Sequence, residues 1–166
     1  MNIYNFLVAF DSSAPSFEAV EYTASIVRSI PNALITLLFI ERLPDKDTFA
    51  TEREWRAKCT ELTTHYKSTF YKAKALLLRN EFDESAISSE YIVSCSSPFE
   101  DVTVCSSGQH IADEILSIQK EGNHGTVVVG RRNKTKEEAF LFGSVSADIL
   151  HEFEDCALWI VSSKCE

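Results

Sequence analysis

Short apolar runs alternate with longer amphipathic stretches along this chain, and that alternation admits few folds. Residues 3–10 (IYNFLVAF), 33–40 (ALITLLFI), 126–129 (TVVV) and 157–161 (ALWIV) read as strands. They are solidly apolar, as strands are when a sheet is covered on both faces, and such sheets are typically parallel. The stretches between them carry helical spacing. Phe17, Val20, Ala24 and Val27 mark one helix, opened near Pro15 and broken at Pro31-Asn32. Trp55, Cys59, Leu62, Tyr66, Phe70, Ala73 and Leu77 form one stripe of a second helix over 51–79, roughly 43 Å long at 1.5 Å per residue. Ile111, Ile115 and Ile118 follow Gly108 as the inner face of a third, and a fourth runs from 144 to about 153.

The third strand has two candidates. Residues 87–93 alternate, Val102-Thr-Val104 is shorter, and a Ser-rich segment with Pro98 lies between them. Either or both are open at this point. The resulting strand–helix order predicts an α/β fold: one domain over residues 1–166, a doubly wound five-stranded parallel sheet in the order 3-2-1-4-5, and helices on both faces. In that order the first and fourth strands flank the point where the winding reverses, and ligands bind there at the carboxyl edge. Asp11 ends the first strand and Gly130 ends the fourth, so both are expected at one crevice.

Composition excludes several partners. The chain has 166 residues, 45% of them hydrophobic, and a formal charge of −9. That charge repels nucleic-acid phosphates and anionic lipid. No apolar run approaches the ~18 residues of a membrane span. The N-terminus lacks the basic region of a signal peptide, so a cytoplasmic protein is expected. Five cysteines, an odd number without a C-x-x-C pair, suggest a reduced chain rather than a disulfide framework. Cys95, Cys105 and His110 share one irregular region, but their spacing fits no zinc pattern, and no metal site is expected.

One segment carries a ligand signal. Gly130 is followed by Arg131, Arg132, Asn133, Lys134 and Lys136, then by Gly143-Ser144-Val145-Ser146 at the start of the last helix. Glycine permits close backbone approach, and helix-start N–H groups point at an anion. A plain solvated loop with a Ser144 N-cap would look similar. With only five glycines and none after the first strand, the chain has neither a Rossmann G-x-G-x-x-G there nor a P-loop. Asp11 offers a carboxylate for ribose hydroxyls, or simply a helix cap. No side chain is placed as a catalytic base.

The spacing Gly130, Asn133, nine residues, Gly143-Ser144 resembles the nucleotide-binding signature G-x-x-G-x9-G-[S/T] of the universal stress protein family, with Asn133 where the second glycine stands. FLVAFDSS, TLLFIE, GQHIADEIL, GTVVVGRRN, FGSVSADIL and WIV resemble that family's elements over most of the chain. The resemblance implies ATP or a related adenine nucleotide, with a divalent ion such as Mg beside the phosphates. Asp11 would meet the ribose or adenine end, and the backbone near Ile40 the adenine edge. Gly130, Arg132 and Asn133 would line the phosphates, with Gly143, Ser144, Val145 and Ser146 closing the anion site. It further implies a stress-response regulatory module that forms a homodimer through the last strand. A dimer of the same fold with an empty crevice is the alternative, ahead of a slow nucleotide hydrolase.

Overall fold

The computed structural model describes residues 2–79, 82–99, 103–131 and 145–162. Five strands form one parallel sheet: β1 (Asn2–Phe10), β2 (Leu34–Ile40), β3 (Ile87–Ile92), β4 (His124–Arg131) and β5 (Ala157–Ser162). Their order is β3-β2-β1-β4-β5, as the alternation of elements predicts. Among the described residues four α-helices accompany them: α1 (Ala14–Val27), α2 (Glu52–Arg79), α3 (Ile111–Glu121) and α4 (Val145–Glu152).

The central strands bury both faces. Phe6, Val8 and Phe10 of β1 join Ile35, Leu37 and Phe39 of β2 beneath Val20, Ala24 and Val27 of α1 and Phe70, Ala73 and Leu77 of α2. On the other face Leu7, Leu38, Val127 and Val129 pack under Ala112, Ile115 and Leu116 of α3 and Ile149 of α4. The first layer is aromatic: Phe39 stacks on Tyr91 at 5.1 Å and meets Tyr66 and Phe70 edge-on or tilted. The second is aliphatic and thinner.

Local chemistry sets the helix ends. Ser13 caps α1 by accepting from the Ser16 N–H, with Pro15 in the first turn. Asn32 takes a φ of +60° in the turn after α1, where asparagine is better tolerated than most residues. Thr51 and Glu54 form a reciprocal capping box at the start of α2, each side chain bonding the other's backbone N–H at 3.2 Å. That helix runs unbroken for 28 residues, about 42 Å. Its N-terminal half reaches past the strands and is tied down where the Trp55 Nε1–H donates to the Pro44 carbonyl at 2.8 Å.

In the β3–α3 connection one open alternative is settled and one expectation is corrected. The third strand is Ile87–Ile92, paired with β2 from Ile35↔Ile87 to Ile40↔Ile92. Thr103 and Val104 lie outside any strand, and Val102 lies outside the described residues. What Val102-Thr-Val104 suggested as a strand is replaced by a single bridge, Ser94 to Ser106. The chain is also not fully reduced: Cys95 and Cys105 form a disulfide. Ten residues apart in sequence, they are brought together by that bridge, whose backbone bonds run from Cys95 N–H to Ser106 O (2.8 Å) and from Ser106 N–H to Val93 O (2.9 Å).

At the amino edge of the sheet His124 is 5% exposed. Its Nε2 shares a hydrogen bond with the Thr36 hydroxyl (3.0 Å), which in turn bonds Ser88 (2.7 Å). Burial holds the imidazole below its ordinary value of 6.5, outweighing nearby backbone acceptors and Glu90. Between that lowered value and 6.5 the unfolded chain binds more protons than the folded one. The resulting stability is therefore complete above pH 6.5 and lost as the pH falls through the folded value. Urea unfolding at pH 7.5 and at pH 5 is expected to show a smaller acid-induced loss in His124→Gln than in the native chain.

Candidate functional site

β1 pairs with β4 as far as Ala9↔Val129 and with β2 as far as Phe10↔Phe39. Beyond Val129 the fourth strand continues beside β5, through Gly130↔Val161 and Arg131↔Ser162. The strands thus part at the carboxyl edge, and a cleft opens between them. Asp11, Ile40, Gly130, Val145 and Ser146 all line it. These are the five sequence-predicted site residues that the structure describes. Arg132, Asn133, Gly143 and Ser144 lie outside the described residues. The cleft floor is apolar, from Ala9, Leu38, Ile111, Ile115 and Val129, so a flat heterocycle would find hydrophobic contact below and polar groups at the rim.

Asp11 is exposed at the end of β1. Its carboxylate accepts from the Ser13 N–H (3.0 Å) and the Ser13 hydroxyl. It therefore organises the start of α1 at the rim of the cleft. Ser12, between them, has φ +67°, and its hydroxyl bonds Thr69 of α2 at 2.6 Å. This bend turns the chain sharply from strand to helix and keeps the carboxylate at the rim.

Gly130 has a local reason to be glycine. A Cβ there would lie 2.4 Å from the Pro15 carbonyl carbon and 2.6 Å from the Ser16 nitrogen. The end of β4 is packed directly against the first turn of α1, so this glycine serves the fold even before any ligand is considered.

Two residues that were not singled out from the sequence dominate the β2 side. Glu41 is 1% exposed yet fully employed. Its carboxylate accepts from Thr63 (2.9 Å), from the Tyr91 hydroxyl (2.9 Å) and from the Ser94 N–H (3.0 Å). A buried carboxylate is tolerable when hydrogen-bonded this completely. Arg42, the next residue, is exposed and lines the cleft together with two adjoining hollows. Its guanidinium forms no ion pair with a described carboxylate, so it stands available to an anion. Tyr66 donates its hydroxyl to the Arg42 carbonyl at 3.3 Å. Burial, then the Glu41 charge, pushes that phenol up, so it stays a donor near neutrality. The sequence signal for both residues was present in hindsight: two charges of opposite sign directly after an apolar strand.

Among the described residues no group of three or more His, Cys, Asp or Glu is arranged to hold a metal ion, and no helix is long and apolar enough to cross a membrane. His124 lies at the opposite edge of the sheet from the cleft, and His151 on α4 does not line it.

A family model described as the Universal stress protein family matches residues 3–162. Among solved structures, hypothetical protein MJ0577, the subject of a structure-based assignment of biochemical function, is 16% identical with a TM-score of 0.68, and the match covers 100% of both chains. Universal stress protein UspA from Lactobacillus plantarum is 14% identical with a TM-score of 0.63, covering 97% of this chain and 99% of that one. A universal stress protein solved in complex with cAMP is 16% identical with a TM-score of 0.61, over 95% and 94% of the two chains. No curated protein matches.

Gly130→Ala is expected to lower folding stability by about 1–3 kcal/mol, because the added methyl forces the α1 start away from β4. Urea unfolding of the variant beside the native chain checks this, and an unchanged midpoint would refute the close approach.

Proposed function

The chain belongs to the universal stress protein family, and from that premise we propose that it is a regulatory module that binds an adenine nucleotide. The observation that carries the reading is the cleft itself: Asp11, Ile40, Gly130, Val145 and Ser146 converge where β1 and β4 part. An apolar floor suits a purine, the Asp11 carboxylate suits ribose hydroxyls, and Arg42 together with the helix start at Val145 suits phosphate. A family member of similar fold has been solved with cAMP, which supports the same ligand class here. ATP with Mg is the first ligand to try, with Arg132, Asn133, Gly143 and Ser144 completing the phosphate loop.

The module is further proposed to act in the cytoplasm as a homodimer joined through β5. That strand is the sheet edge, with Ile160 39% exposed beside a hollow formed by Tyr22, Trp159 and Val161. An apolar edge of this kind invites pairing with a second strand. One specific feature favours a second reading, a stress dimer with no nucleotide: Asn133 replaces the glycine that would let a phosphate approach most closely.

Calorimetric titration of nucleotide-stripped protein with ATP and Mg is expected to give saturable micromolar binding. Arg42→Ala should weaken it by about 5–20-fold, the loss of one charge-assisted hydrogen bond. Gly143→Leu should abolish it, and unchanged affinity in that variant would sink the site assignment. No binding at all, with no nucleotide carried through purification, would select the second reading.

A further inference from the structure

We propose that the Cys95–Cys105 disulfide is a thiol-exchange site whose redox state sets how firmly Arg42 is held at the cleft mouth. The final step, from Arg42 to ligand, rests on the nucleotide reading above. The earlier steps stand on the geometry alone.

The residues flanking the disulfide reach Glu41 and Arg42 by two separate routes. On one side, Ser94 directly precedes Cys95 and donates its N–H to the Glu41 carboxylate at 3.0 Å. On the other, Ser106 directly follows Cys105. Its hydroxyl donates to Glu114 of α3 (2.8 Å) and accepts from the Gly108 N–H (2.9 Å). Gly108, at φ +72°, lies against the arginine stem: a Cβ on it would sit 3.6 Å from Arg42 Cγ and 3.9 Å from Nε. Two consecutive residues, one buried acceptor and one cleft-lining cation, are therefore braced by the two ends of one disulfide. The bond joins those ends across a short loop, and its cleavage returns conformational freedom to the chain between them. The pair of backbone bonds at the Ser94–Ser106 bridge remains after cleavage, so the change is a loosening rather than an unfolding.

Access is also right for exchange. Cys95 is exposed and Cys105 half-buried, whereas Cys59 is buried and Cys156 half-buried. Burial raises the thiols of Cys59 and Cys156 above the ordinary range, so neither is an internal nucleophile near neutral pH. The reductant is an external thiol of low molecular weight. Its thiolate attacks the Cys95 sulfur, the S–S bond breaks, and Cys105 leaves as a thiolate that takes up a proton. A second thiolate then attacks the external sulfur of the mixed disulfide and releases Cys95. Two electrons pass to the protein, two thiols form, and the two external thiols leave as their own disulfide. Disulfides found in reducing compartments are usually of this transient, sensing kind.

The test compares the full chain after air oxidation, the same protein in dithiothreitol, and the double variant Cys95→Ser/Cys105→Ser. Amide hydrogen exchange at Ser94, Ser106 and Gly108 is measured without nucleotide, and ATP affinity is measured in parallel. Reduction is expected to speed exchange at those amides about 10-fold or more and to weaken ATP binding by about 5-fold or more. The double variant should match the reduced protein with or without dithiothreitol. Five free thiols after oxidation, or exchange identical in both redox states, would overturn the proposal. So would faster exchange with unchanged ATP affinity. Absence of ATP binding in every form would overturn the nucleotide reading, and the exchange data alone would then decide for or against the redox-dependent brace.

Discussion

β1 pairs on both of its edges, with β2 and with β4, and the rest of the molecule depends on that double pairing. The carboxyl half of that strand, hydrogen-bonded on both sides and covered on both faces, is apolar, as Phe6, Leu7, Val8 and Phe10 show. The chain winds outward from β1 in one direction through β2 and β3 and in the other through β4 and β5, so the winding reverses between β1 and β4. The cleft is the geometric remainder of that reversal. Its floor is the end of the core, and its rim is whatever the chain places on the turns that follow β1, β2 and β4.

Those three turns solve the same problem differently. After β1, Asp11 and a left-handed Ser12 force an immediate bend into α1. After β2, Glu41 is sunk below the surface and used as a three-way acceptor, which leaves Arg42 to face outward. After β4, Gly130 removes a side chain so that the strand end fits against Pro15 and Ser16. The polar character of the rim thus comes from residues that also fix the local fold. Substituting any of them changes the packing and the recognition surface together.

The fold was largely legible from the sequence because four of the five strands are solid apolar runs, and parallel strands buried on both faces leave that trace. β3 was ambiguous for the converse reason. It is an edge strand, and Ser88, Ser89 and Glu90 at its centre are exposed, so its pattern is weak. Asp11 and Gly130 were expected at the cleft because each stands at a strand end, and Ile40, Val145 and Ser146 because the family resemblance implied them; all five line it. Glu41 and Arg42 were passed over because a charged pair after a strand ordinarily reads as solvated turn. Counting cysteines misled: an odd total without close pairs concealed one bond between residues that only the Ser94–Ser106 bridge brings together.

The chain has two tryptophans, and they occupy unlike surroundings. Trp159 lies on β5 between the rings of Phe6 (5.5 Å) and Tyr22 (6.0 Å). Trp55 is held under the segment after β2, its indole N–H bonded to Pro44 and the Lys46 and Arg56 cations each 5.9 Å from its ring. The molecule therefore contains two native fluorophores with separate assignments. Emission from one follows events on the outer strand, and emission from the other follows the neighbourhood of Glu41 and Arg42. Replacing either indole with phenylalanine would leave a single-site optical reporter that needs no attached label.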